Sequence, residues 1–162
     1  MDYSLLKVGN SIVYNGSLND YRNQIGTITS ISQDETFSLS IKKKWPPNSQ
    51  ASNIVAYTKD VMPVIMNIGK LNDLGFALNE KTNVISRQDV NIINVAYVKP
   101  YKDDFGHDRL SLDVKGFRLV VNGFPLGADE DVVLKNTIDV NSLHSLQNYY
   151  FENLKEELYL PD

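Results

Sequence analysis

RLSLDVKGFRLVVNGFPLG, Arg109 to Gly127, is the stretch that decides the fold class. It reads as three extended runs separated by Lys115-Gly116 and Asn122-Gly123. Asn-Gly suits a two-residue hairpin turn because both central positions need positive φ. Lys-Gly is weaker, but its glycine still relieves a strained backbone. A β-meander over 109–126 is therefore predicted, and with it an antiparallel sheet.

Moving toward the N-terminus, the same period-2 signal recurs. Ile25, Thr27, Thr29 and Ile31 fall on alternate positions, as do Phe37, Leu39 and Ile41. Such runs, broken by polar residues, predict short antiparallel strands. With the opening LKVGNSIVYNG they suggest an SH3-like barrel part over residues 1–58. Pro46 and Pro47 exclude a central strand between Lys44 and Gln50. FALNEKTNVIS predicts a hairpin turning at Glu80 to Asn83, and VNIINVAYV a buried strand.

Two helices are expected. The first runs near 64–74, with Ile65, Ile68, Leu71 and Leu74 on one face and Gly75 placed to stop it in the left-handed conformation. The second runs near 140–158. Asp139 would cap it, Ile138 and Leu143 would form a hydrophobic staple, and Leu143, Leu146, Tyr150, Leu154 and Leu158 make one apolar stripe. The expected fold is α+β and mainly antiparallel. An SH3-like subdomain (1–58) joins an α+β subdomain (59–162) whose meander is covered by the terminal helix, the two forming one compact unit.

The 162 residues are 42% hydrophobic, enough to bury a core. The formal charge of −4 works against phosphate-driven nucleic-acid binding. The absence of cysteine excludes disulfides, thiolate zinc sites and thiol nucleophiles. No apolar run approaches the roughly 20 residues of a membrane helix. The opening MDYSLLKVGNSIVY has no leader-peptide pattern, so a cytoplasmic location is expected.

The order of a Gly9-Asn10 opening strand, a helix closing in Leu71 to Phe76, and a final helix with His144, Leu146, Gln147, Asn148 and Phe151 before Glu156, Glu157 and Leu158 resembles a group of small phage and mobile-element proteins of bacteroidete type. That group typically places a Leu-Thr-Gly turn ahead of the acidic pair. This chain has Asn153-Leu154-Lys155, so the helix is expected to continue. The resemblance implies a phage-like origin and a location in the cytoplasm of a bacterial host cell. It carries no activity with it.

His144, Gln147 and Asn148 are neighbours on a helix and form a polar cluster beside the stripe. They either recognise a ligand or tie the helix to backbone groups of the sheet. Tyr149, Tyr150 and Phe151 cannot share one helix face, so some must point away from the core. Lys42, Lys43, Lys44 and Trp45 form the basic cluster; Lys43, Lys44 and Arg118 are candidate phosphate contacts and Trp45 a stacking platform. Asp103, Asp104, His107 and Asp108 match no metal-site spacing and read as a turn. Asp129-Glu130-Asp131 reads as a solvated acidic run.

No nucleophile motif, phosphate loop or metal set is present in the sequence, so neither catalysis nor a cofactor is expected. The expected function is non-catalytic: a phage-like accessory protein that binds a host protein or sequesters a small ligand, a nucleotide immune signal being one version. Trp45, His144, Gln147, Asn148, Tyr149 and Tyr150 are the candidate contacts. A self-assembling module and a nucleic-acid-binding SH3-like protein are the alternatives. A homo-oligomer fits the first of these.

Overall fold

A computed structural model describes residues 3–34, 36–46, 49–102, 105–121 and 130–160. The fold is α+β with two five-stranded antiparallel sheets. The chain divides into two compact units, 1–65 with 142–162, and 66–141. This differs from the expected boundary at 58/59, and it moves the terminal helix from the meander to the N-terminal sheet.

In the first unit the strands are β1 (Ser11–Tyr14), β2 (Gln24–Ile31), β3 (Thr36–Ile41), β4 (Ser52–Tyr57) and β5 (Val61–Pro63). Their spatial order is β4-β3-β2-β1-β5. That meander order is compatible with an SH3-like half. Barrel closure is not seen, since β4 and β5 are the two sheet edges and do not pair with each other among the described residues. Ile12, Tyr14, Ile28, Phe37, Leu39, Ile41 and Ala56 form the core. The alternation of Phe37, Leu39 and Ile41 is as the sequence predicts.

β2 has the opposite phase from the one its isoleucines suggest: Gly26 and Ile28 are buried, while Ile25 and Ile31 are exposed. The cause is Ile41 on the neighbouring strand. A Cβ at position 26 would lie 3.1 Å from the Ile41 Cβ, so a side-chain-free residue faces inward there. A bulge between Ile28 and Ser30 then resets the register.

The last helix, α3 (Leu143–Tyr149), is shorter than its apolar stripe predicts. It starts after Ser142. Asp139 instead accepts a hydrogen bond from the Asn141 backbone N–H, at 2.8 Å. Tyr150–Leu154 widen into a π-turn, and Lys155 (φ +59°) ends the helix in the left-handed conformation. The stripe at i and i+4 therefore fails at Leu154, which is exposed. Leu158 is buried by an irregular tail rather than by the helix. A left-handed lysine stores roughly 1 kcal/mol that glycine would not. Lys155→Gly is expected to raise unfolding stability by about 0.5–1 kcal/mol in urea titration. An unchanged or lower midpoint would show that the bond from Lys155 Nζ to the Glu152 carbonyl holds the bend instead.

The second unit contains α1 (Ile68–Asp73), β6 (Ala77–Asn79), β7 (Val84–Arg87), β8 (Val90–Lys102), β9 (Asp108–Val120), α2 (Glu130–Asn136) and β10 (Thr137–Asp139), with sheet order β10-β9-β8-β7-β6. The side chain of Asn67 accepts from Lys70 N and so starts α1 four residues later than predicted. Gly75 (φ +84°) stops it as expected. Phe76 N donates to Leu71 O and Gly75 N to Asn72 O, the paired bonds of a Schellman end. The hairpin turning at 80–83 is present between β6 and β7.

Lys115-Gly116 is not a turn. β9 runs straight through it, and the register against β8 steps from Val95↔Gly116 to Ala96↔Val114, leaving Lys115 as the extra residue of a bulge. The positive φ predicted for glycine is present, at +82°. Asn122-Gly123 and the third run of the meander lie outside the described residues, as do Asp103, Asp104 and Asp129.

Candidate functional site

Gln147 and Asn148 sit one helical turn beyond His144 on α3, and their partners fix the first unit's seam. Gln147 is only 5% exposed. Its Oε1 accepts from Ser11 N at 2.9 Å, while its Nε2 donates to Ser11 Oγ at 3.2 Å and to Leu158 O at 2.8 Å. Asn148 accepts from Asn10 Nδ2 at 3.0 Å and donates to the Leu5 carbonyl at 2.7 Å. Two amides thus hold the start of β1, the loop before it and the tail after α3. Their polar groups are satisfied within the fold, as buried amides require. Of the two readings open in the sequence, the geometry favours the tie.

A cleft opens above this seam. It takes in about 420 Å³ of empty space, mouth included. One wall is the loop Lys7 to Asn10, where Gly9 adopts φ +91° and donates to Ile28 O at 2.8 Å. Phe151 on the π-turn and the tail residues Glu157, Leu158 and Tyr159 complete the lining. Phe151 is 56% exposed and Tyr159 55%, so both rings offer free surface. Leu158 is 4% exposed and anchors the tail. Lys7 Nζ forms an ion pair with Glu152 at the rim. The Tyr159 hydroxyl donates to the Glu157 carboxylate, and that bond raises its pKa above the usual tyrosine value. A wider open groove lies on the tail's other side, bordered by Ser11, Thr27, Ser40, Lys42, Tyr159 and Leu160.

His144 does not line the cleft. It is buried, with Nε2 3.3 Å from Ser142 Oγ and Nδ1 without a protein partner. The cheaper arrangement puts the proton on Nε2, because an unpaired lone pair costs less than a buried unpaired N–H. Burial lowers its pKa below 6.5. The folded state therefore binds a proton at lower pH than the unfolded chain does. Stability contributed by neutral His144 is complete above about pH 6.5 and is lost as pH falls through the folded-state value. The urea midpoint should fall below about pH 6.5 more steeply in the native chain than in His144→Leu. Parallel profiles would show that the ring protonates equally well in both states.

The remaining predicted contacts are dispersed. Tyr150 is fully buried and belongs to the core, meeting Tyr149 edge-on at 6.4 Å. Trp45 is 78% exposed in the loop between β3 and β4 and is not a cleft wall. Lys43 Nζ lies 3.4 Å from an Asp20 carboxylate oxygen and over the Tyr21 ring, and the Lys44 amide donates to Asp20 O. Asp20 thus counters the charge a phosphate would seek. Arg118 is in the second unit, where Nε donates to Thr137 Oγ1 at 2.6 Å and Nη2 to Thr137 O at 3.2 Å. Of the contacts expected from the sequence only Gln147 and Asn148 reach the cleft. Lys7, Val8, Phe151, Glu157 and Tyr159 join them. The signals for these were the Gly9-Asn10 strand opening, the aromatic that could not share the buried face, and the acidic pair before Leu158.

Among the described residues no group of three His, Asp or Glu side chains is arranged to hold a metal ion. No described helix is long and apolar enough to cross a membrane. No protein-family model and no curated protein matches the chain.

Proposed function

We propose that this protein is a non-catalytic binding protein whose ligand is a small molecule or a single side chain seated in the cleft between the Lys7–Asn10 loop, Phe151 and the tail. The observation that carries this reading is that two half-exposed aromatic residues, Phe151 and Tyr159, line one concave site together with Gln147 and Asn148, whose amides are held by hydrogen bonds. The space it offers to an occupant, about 70 Å³, is well below the roughly 300–1,000 Å³ of drug-sized ligand sites, which limits the occupant to a small group or one side-chain end. No histidine lines the cleft, since His144 stands outside it, and this favours binding over turnover. Together with the resemblance to phage and mobile-element proteins, this makes an accessory protein acting in the cytoplasm of a bacterial host cell the preferred setting.

Binding through the Lys42–Trp45 cluster is the weaker alternative, because Asp20 already engages Lys43. Docking of a host protein or of a second copy is favoured by a different observation. β4 is an edge strand with Val55 and Tyr57 exposed along it, and exposed edges invite pairing.

Native mass spectrometry on freshly purified full-length chain, with a thermal-shift panel of nucleotides, amino acids and organic cations, tests the preferred reading. A retained mass or a raised melting temperature, either of them lost in Phe151→Ala, is expected. A bare chain with no shift from any panel member overturns it.

A further inference from the structure

The charges around the cleft say what kind of ligand it takes. Three ionised side chains stand on its lining and rim: Lys7, Glu152 and Glu157. Lys7 is already paired with Glu152. Glu157 receives the Tyr159 hydroxyl and, among the described residues, no cationic side chain. Among the described residues the cleft therefore carries one carboxylate without a cationic partner, on a lining that also holds two aromatic residues. A phosphate would meet two carboxylates and a lysine already committed. A compact metal ion would find too few oxygen ligands, consistent with the lack of a ligand cluster among the described residues. A bulky, weakly hydrated cation meets what it needs: ring faces for its alkyl surface and a carboxylate for its charge.

Resting on the reading of this cleft as the binding site, we infer that it recognises an alkylated ammonium group, flanked by Phe151 and Tyr159 and neutralised by Glu157. The aliphatic side chain of Val8, itself largely exposed, completes the apolar lining. The bond from Tyr159 to Glu157 holds the carboxylate at the tip of a tyrosine that is itself largely exposed. Lys7 on Glu152 is an internal example of the same chemistry, an alkylammonium held at the rim by a carboxylate. Two sources carry the group: a free small cation such as choline, and a methylated lysine side chain on a peptide.

Isothermal titration of the full chain with choline, with a trimethyl-lysine peptide and its unmethylated and acetylated forms, and with AMP separates these possibilities at matched ionic strength. Both methylated cations are expected to bind and AMP is not. Preference for the peptide over choline would assign the source to a protein, and the reverse to a free metabolite. Phe151→Leu and Glu157→Gln alter exposed side chains and should fold normally. Each is expected to weaken cation binding about threefold or more. No cation binding into the millimolar range, or binding unchanged in both variants, overturns the inference. Should AMP or a neutral ligand bind and be lost in Phe151→Leu, the cation class fails while the cleft remains the binding site. If no ligand of any class responds to Phe151→Leu, both readings fall.

Discussion

Gln147→Leu is expected to destabilise the first unit by about 3 kcal/mol. The leucine nearly conserves volume, so little of the loss is a cavity. What remains is polar. The Ser11 amide loses the Oε1 that accepts from it, and the Leu158 carbonyl loses the Nε2 that donates to it. Both residues are buried, so water replaces neither bond well. Each stranded backbone group costs roughly 1–3 kcal/mol. The loss should appear as a lower urea midpoint with little change in slope, and as faster amide exchange at Ser11. The lining of the cleft would loosen as well, because Leu158 is held through that carbonyl. A loss under about 0.5 kcal/mol would mean that the tail and β1 are held by packing alone.

Gly116→Val is the corresponding test of the second unit. A Cβ at position 116 would lie 1.8 Å from Asn141 Oδ1, and φ there is +82°. A β-branched residue resists that backbone by roughly 1–2 kcal/mol. The displaced Asn141 would also release Phe117 N, which it accepts from at 2.6 Å. Together the expected loss is about 3 kcal/mol or more. A domain of 60–100 residues loses roughly 4–8 °C per kcal/mol, so calorimetry should show a drop above about 12 °C. Had Lys115-Gly116 been an exposed hairpin turn, valine would cost only the backbone strain. A drop of a few degrees would therefore restore the turn.

These two residues also mark how far the sequence could be read. Gly116 was legible as a backbone that needs glycine, because positive φ is a local requirement. Whether the chain then reverses is decided by the facing strand, through the step between Val95 and Ala96. Gly75 needed no such partner, and its helix stop was legible in full. Lys155 breaks the helix without a glycine, so the apolar stripe ran on past the true end. Gln147 and Asn148 stood out as a polar cluster, yet their partners Ser11, Asn10 and Leu5 lie 136 to 143 positions away in sequence. Helical spacing cannot name such partners. That one of the aromatics 149–151 must leave the core was legible, but that Phe151 shares a cleft with Tyr159 was not, because the tail that brings them together depends on a left-handed lysine.

The division of the chain has a consequence for how the protein is made. The second unit is one continuous stretch whose ends meet, Met66 N donating to Asn141 O at 2.8 Å. The first unit is split around it and rejoins where Leu143 N reaches Val64 O at 2.9 Å. On a ribosome adding about 5–20 residues per second, Ser11 waits some 7–27 s for the glutamine 136 positions later that accepts its amide. During that interval β1 to β5 are already synthesised but the cleft lacks its floor, while the second unit has every strand it needs. The cleft is thus among the last features of the nascent chain to form, and a chain that stalls before α3 presents a sheet without the cleft.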